Sequence, residues 1–201
     1  MKNFKLFSSL FAVVAVSILI YSCSCPCEKK DAPNVPLNVL HNANAFVISK
    51  TGETFFNNYI TPDYKLTKHA PPYYEMAYRL YIPEKPYVNT KISFTVDGSG
   101  QVVENKDIIG IPDCAKNPSG CDWKIDEAKA ISIAKVNKLE EGIKDWKIQF
   151  VWNPERTSYV WHILTTIREF KSDFGYRGSG KEMLIDPVNG EVLAVTGWQI
   201  Q

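Results

Sequence analysis

The chain carries one strand-turn-strand signature twice, and this repeat limits its possible folds more than any other feature. Phe94-Thr95-Val96-Asp97-Gly98-Ser99-Gly100-Gln101-Val102-Val103 returns as Met183-Leu184-Ile185-Asp186-Pro187-Val188-Asn189-Gly190-Glu191-Val192-Leu193, with one extra residue in the second turn. An aspartate at a strand end can accept hydrogen bonds from the amides of the turn, and a glycine supplies the positive φ that sends the chain back. Asp97 with Gly100 and Asp186 with Gly190 are therefore read as structural turn pairs. A single hairpin would say little; two, each downstream of a helical pattern, point to an internal duplication.

The helical patterns are placed alike. The first sets Leu37, Leu40, Asn44, Val47 and Ile48 along one face, with Pro36 in its first turn and Gly52 past its end. The second runs from Asp126 as N-cap through Ala128, Ile131, Ala134 and Leu139, with Gly142 past its end. Aromatic and β-branched strands follow each: 73–82 and 91–97 in the first half, 146–152 and 158–168 in the second. Helix followed by antiparallel strands, without β-α-β alternation, predicts an α+β fold of two helix-plus-antiparallel-sheet units, the first degenerate. The units are expected at 36–104 and 123–201, joined by a loop at 105–122.

Ile125-Asp126-Glu127-Ala128-Lys129-Ala130, Tyr159-Val160-Trp161-His162-Ile163 and the 184–193 hairpin together resemble a PepSY domain. The resemblance covers residues 123–198, and 36–104 is similar to a degenerate second copy. It implies a small extracytoplasmic, non-enzymatic module of the kind proposed to bind or restrain peptidases.

Residues 1–22 open with Lys2 and Lys5, continue through an apolar run from Leu6 to Tyr21, and end in Ser22 before Cys23. This is the pattern of a secretory signal, and Ile20-Tyr21-Ser22-Cys23 resembles the lipobox of bacterial lipoproteins. That resemblance implies a lipid on Cys23, anchorage in the bacterial cell envelope, and a tether over residues 23–35. About 16 apolar residues fall short of the roughly 20 that span a bilayer as a helix. Cleavage would leave 21 basic against 22 acidic side chains, so no cationic excess remains for nucleic acid. Cys114 and Cys121 flank an Asn117-Pro118-Ser119-Gly120 turn, and export makes a disulfide the natural reading. With only His41, His69 and His162 elsewhere, the usual paired ligand spacing of a metal site is missing.

No phosphate loop, nucleophile elbow or zinc-protease helix occurs, so no catalytic residue and no cofactor is assigned. His162 reads as a half-buried structural histidine of its strand. Asp126 and Glu127 read as helix-capping charge, and Glu140 and Glu141 as a solvated face. The expected activity is binding of a peptide or protein partner, a peptidase among them. A structural envelope scaffold is the alternative, and an enzyme of unrecognised type comes third. Alternation along 73–81 puts Tyr74, Met76, Tyr78 and Leu80 toward a core. It leaves Tyr73, Glu75, Ala77, Arg79 and Tyr81 outward, with Tyr73, Arg79 and Tyr81 the candidate binding residues.

Overall fold

A strand of ten residues organises the first half of the fold. The computed structural model describes residues 35–172 and 175–200, so the expected signal, Cys23 and most of the tether lie outside the described residues. Strand β3 (Tyr73–Ile82) follows β1 (Ile60–Pro62) and β2 (Lys68–Ala70) and precedes β4 (Lys85–Val96). It buries Tyr74, Met76, Tyr78, Leu80 and Ile82 and turns Glu75, Arg79 and Tyr81 to solvent, as expected for a sheet with one wet face. Tyr74 pairs with His69 of β2 on one side and Val96 of β4 on the other, so β1 and β2 share one edge of β3 and β4 takes the other.

Helix α1 (Leu37–Thr51) covers the buried face of this sheet, and α2 (Glu53–Tyr59) follows it. Its buried stripe is Val39, Ala43, Val47 and Thr51, spaced by four. This corrects the expected face: Leu37 is 83% exposed, and Leu40 and Ile48 only flank the contact. The small Ala43 lets the helix approach closely. Phe46 then packs on Phe94 at 5.1 Å, and the Tyr78 hydroxyl donates to Asn44 Oδ1 at 2.8 Å.

The second half repeats the order. Helix α3 (Glu127–Val136) is followed by β5 (Lys147–Asn153), β6 (Ser158–Leu164), β7 (Arg168–Ser172), β8 (Gly175–Ile185) and β9 (Val192–Ile200). The sheet runs β5-β6-β8-β9, with β7 continuing β6 along the same edge of β8. Asp126 caps α3 as expected, its Oδ1 accepting from the Lys129 amide at 2.8 Å. The expected helix end does not hold: α3 stops at Val136, and Lys138 takes the positive φ of 55°. Leu139 therefore lies beyond the helix, and Ala130 and Ala134 face the core while Ala128 is exposed. Gly142 packs against the backbone of Thr166 instead, so it has no equivalence with Gly52.

The turns do correspond. Asp97 Oδ1 accepts from the amides of Ser99 and Gln101, and Asp186 Oδ1 from that of Val188. Gly100 and Gly190 have φ of 88° and 81°. Each is pressed by its own helix: a Cβ at Gly100 would sit 2.9 Å from Val39 Cα, and one at Gly190 2.9 Å from Ile133 Cδ1. After the turn the halves diverge. β9 is continuous over nine residues, whereas the first unit returns along β4 only in fragments, bridging Val96 to Val102 and Ser93 to Ile109. The protein is thus α+β, two antiparallel sheets each with a helix ahead of it.

An aromatic seam joins the two sheets into one core. Trp123, 1% exposed, presents faces and edges to Phe55, Phe150 and Tyr159 at 5.2 to 6.4 Å. Tyr87 of β4 packs on Phe150 and Trp161 and donates to the Trp123 carbonyl at 2.9 Å. The Tyr159 hydroxyl bonds the Gly110 carbonyl at 2.9 Å and the Thr90 hydroxyl at 2.7 Å, tying β6 to the edge of the first sheet. Burial pushes that phenol's pKa well above its ordinary range. Tyr159→Phe keeps the ring and strands both partners, so it should lower the unfolding free energy by about 1 to 3 kcal/mol. A urea titration with an unchanged slope checks this; an unchanged midpoint would show that the seam does not depend on the hydroxyl.

Candidate functional site

The outer face of the first sheet is built by register. Arg79 of β3 sits directly opposite Lys91 of β4, and Tyr81 opposite Asn89. Arg79 Nε donates to Asn89 Oδ1 at 2.9 Å, and its guanidinium lies 5.0 Å from the centre of the Tyr81 ring. Like charges directly across a strand pair are unfavourable, and neither cation belongs to any of the ion pairs among the described residues. The result is an exposed, oriented arrangement of a planar donor, an ammonium group and a ring.

The expected face is not continuous. Ala77 is 1% exposed, because the 63–67 loop closes against it: the Ala77 amide donates to Thr67 Oγ1 at 3.1 Å, and its carbonyl accepts from the Asp63 amide at 2.8 Å. Arg79 and Tyr81 are thereby grouped with Asn89 and Lys91, which sequence reading missed because the pairing crosses a hairpin. Tyr73, half-buried, lies at the other end of the strand. At about 3.4 Å per residue it is more than 25 Å from Tyr81. His69 stacks on Tyr74 at 4.4 Å and His41 points outward from α1, so neither joins this group.

His162 has a partner that the sequence did not reveal. On the outer face of the second sheet its Nε2 lies 2.8 Å from Glu182 Oε2, and the Thr196 hydroxyl donates to Glu182 Oε1 at 2.6 Å. The carboxylate stands in the middle of this row. A histidine poised as base for a hydroxyl would need to stand between the hydroxyl and the acid, so the geometry is that of a structural clamp across β6, β8 and β9. The Thr196 hydroxyl first, and His162 second, hold the Glu182 carboxyl below the usual glutamate range. The folded state therefore binds this proton less readily than the unfolded one. The clamp's contribution is complete above the ordinary glutamate value of about 4.3 and is lost as pH falls through the lower folded value. Thr196→Val should flatten the fall in thermal midpoint between about pH 5 and 3, which a pH series of melting curves reads; a slope equal to wild type would refute the assignment.

Cys114 and Cys121 form the expected disulfide, with Cα atoms 5.6 Å apart. In the chain-entropy picture so short a ring stabilises by roughly 2 to 3 kcal/mol. Asn117 closes the loop by accepting from the Gly120 amide, and the Ala115 amide ties it to the Lys50 carbonyl at the end of α1. A cleft of about 600 Å³ lies between this loop and α2, lined by Phe55, Tyr59, Ile82, Glu84, Lys85 and Cys121. Among the described residues, no group of three or more His, Cys, Asp or Glu is placed to hold a metal ion, and no helix is long and apolar enough to cross a membrane. No family model matches the chain, and no curated protein matches it either.

Proposed function

We propose that this protein is a non-enzymatic binding module of the bacterial cell envelope, anchored by a lipid on Cys23, that holds a peptide or protein partner. The observation that carries this reading is the pair Arg79 and Lys91, set opposite each other on an exposed sheet face with neither in an ion pair among the described residues. A sheet that only needed solubility would place opposite charges there. A guanidinium held by Asn89 and stacked on Tyr81 loses little freedom on binding, which suits capture of a partner's carboxylate beside apolar contact. The likeness of 123–198 to the PepSY family adds a peptidase to the partners worth testing.

Arg79→Ala with Tyr81→Ala should weaken capture of the envelope partner at least tenfold, about 1.4 kcal/mol. Because neither side chain belongs to the buried core, Tyr81 being 37% exposed, the thermal midpoint should stay nearly unchanged. Pull-down from envelope extracts followed by melting curves checks both; equal capture, or a large loss of stability, would place the site elsewhere. Recovery of a fixed set of assembly members in place of a peptidase would favour the scaffold reading.

The anchor rests on thioether chemistry that serine cannot perform. Cys23→Ser should abolish incorporation of a fatty-acid analogue and release the protein from the membrane fraction. Labelling equal to wild type would refute it.

A further inference from the structure

The edges of the two sheets are treated in opposite ways. Edge strands expose unpaired amides and carbonyls, and folds usually blunt them with charge, proline, brevity or cover. The first sheet uses these devices: β1 and β2 are three residues each, β1 ends in Pro62 and β2 begins with Lys68. Its other edge, along β4, is crossed by Val102 and Ile109. The second sheet ends in β9, nine residues of sequence Val-Leu-Ala-Val-Thr-Gly-Trp-Gln-Ile, with no charge and no proline. Among the described residues β9 pairs only with β8, and its backbone is otherwise met by the Arg156 guanidinium alone, which donates to the Leu193 carbonyl at 3.3 Å at the start of the strand. Val195 and Ile200 are 52% and 50% exposed.

Charge gathers beside that edge on one face. Cross-strand register sets Arg168 with Ser179 and Gln199, Phe170 with Arg177, and Lys181 with Gly197. Arg168, Arg177 and Lys181 therefore share a face, whereas Glu169 alternates to the other side and is held by Lys144 at 2.7 Å, and Glu182 is held by His162 and Thr196. A cleft of about 510 Å³ at this end is lined by Arg168, Glu169, Phe170, Arg177, Ser179, Gln199 and Ile200, with Glu169 already paired to Lys144.

We propose that β9 is a strand-addition site for an extended acidic peptide segment of a partner protein. The incoming strand continues the sheet through main-chain hydrogen bonds to β9, alternate side chains meeting the cationic face and the remainder lying beside Trp198 and Ile200. A second copy of this chain fits less well. An isologous β9 pair has its two-fold axis normal to the sheet, so it places both cationic faces on the same side of the joined sheet, where they add like charge. This surface is separate from Arg79 and Tyr81 and stands or falls without them.

The test uses the full chain in detergent and a fluorescein-labelled peptide, Thr-Glu-Val-Glu-Val-Glu-Thr, read by fluorescence anisotropy. The acidic peptide should bind at least tenfold tighter than its lysine counterpart, and added salt should weaken it. Arg177→Glu with Lys181→Glu should weaken it about tenfold or more, while Arg79→Ala with Tyr81→Ala leaves it unchanged. Two N-methylated peptides give a readout independent of any protein variant: methyls on one set of alternate amides should abolish binding, and methyls on the other set should not. Equal loss or equal retention for the two sets, no saturable binding, or a dimer in sedimentation that the peptide fails to dissociate would overturn the proposal.

Discussion

The structure depends on one buried join, the Tyr159 hydroxyl set between the Gly110 carbonyl and the Thr90 hydroxyl. Each sheet has one face covered by helix, and the second is covered sparingly: α3 brings only Ala130 and Ala134 to full burial. The sheets make up the difference by sharing their aromatics at the seam. Trp123, contributed by the segment just ahead of α3, fills the space between α2, β5 and β6, and its carbonyl is satisfied by Tyr87 of β4. Polar atoms at such a seam are either satisfied or costly, so the hydrogen bonds fix one register between the halves where apolar packing alone would tolerate several.

That join also explains why the first unit is the degenerate one. A continuous return strand after Asp97 would lie against the free edge of β4, where Gly110 now approaches. A Cβ at Gly110 would lie 2.5 Å from the Lys91 carbonyl. The strand is broken after Val103 and resumes at Ile109, and the freed backbone delivers the Gly110 carbonyl to Tyr159. Among the described residues no chain segment pairs at the matching edge of the second unit, where only the Arg156 guanidinium reaches the Leu193 carbonyl, and β9 runs on unbroken. The difference between a covered edge and an open one is thus a consequence of how the units meet.

Function, on the proposed reading, lives on the surfaces that this core leaves uncovered. The outer face of the first sheet offers fixed side chains, Arg79 above all, and the second offers backbone along β9 beside Arg177 and Lys181. On that reading both would recognise a partner without performing chemistry on it. The one histidine-carboxylate pair among the described residues, His162 with Glu182, is engaged in holding three strands together.

What the sequence determined by itself is local. The β3 boundaries and its buried face, the Asp126 cap, the two aspartate-glycine turns and the disulfide across Asn117-Pro118-Ser119-Gly120 all follow from neighbours within a few residues, where alternation, amide capping and turn chemistry act directly. The end of α3 was misjudged because Gly142 has a packing role against Thr166 that looks like a cap in sequence, while Lys138 supplies the left-handed residue. The expected face of α1 differs because the stripe that meets the sheet runs through Val39, Ala43, Val47 and Thr51, while Leu37, the first residue of the helix, is left 83% exposed. Tertiary structure alone decided that Ala77 is covered, that Arg79 meets Lys91 and Asn89, that Glu182 meets His162 and Thr196, and that β9 is left open. Each of these is a contact between distant stretches whose register is set by the core on the opposite face of the sheet. A side chain's own neighbours in sequence carry no information about that register.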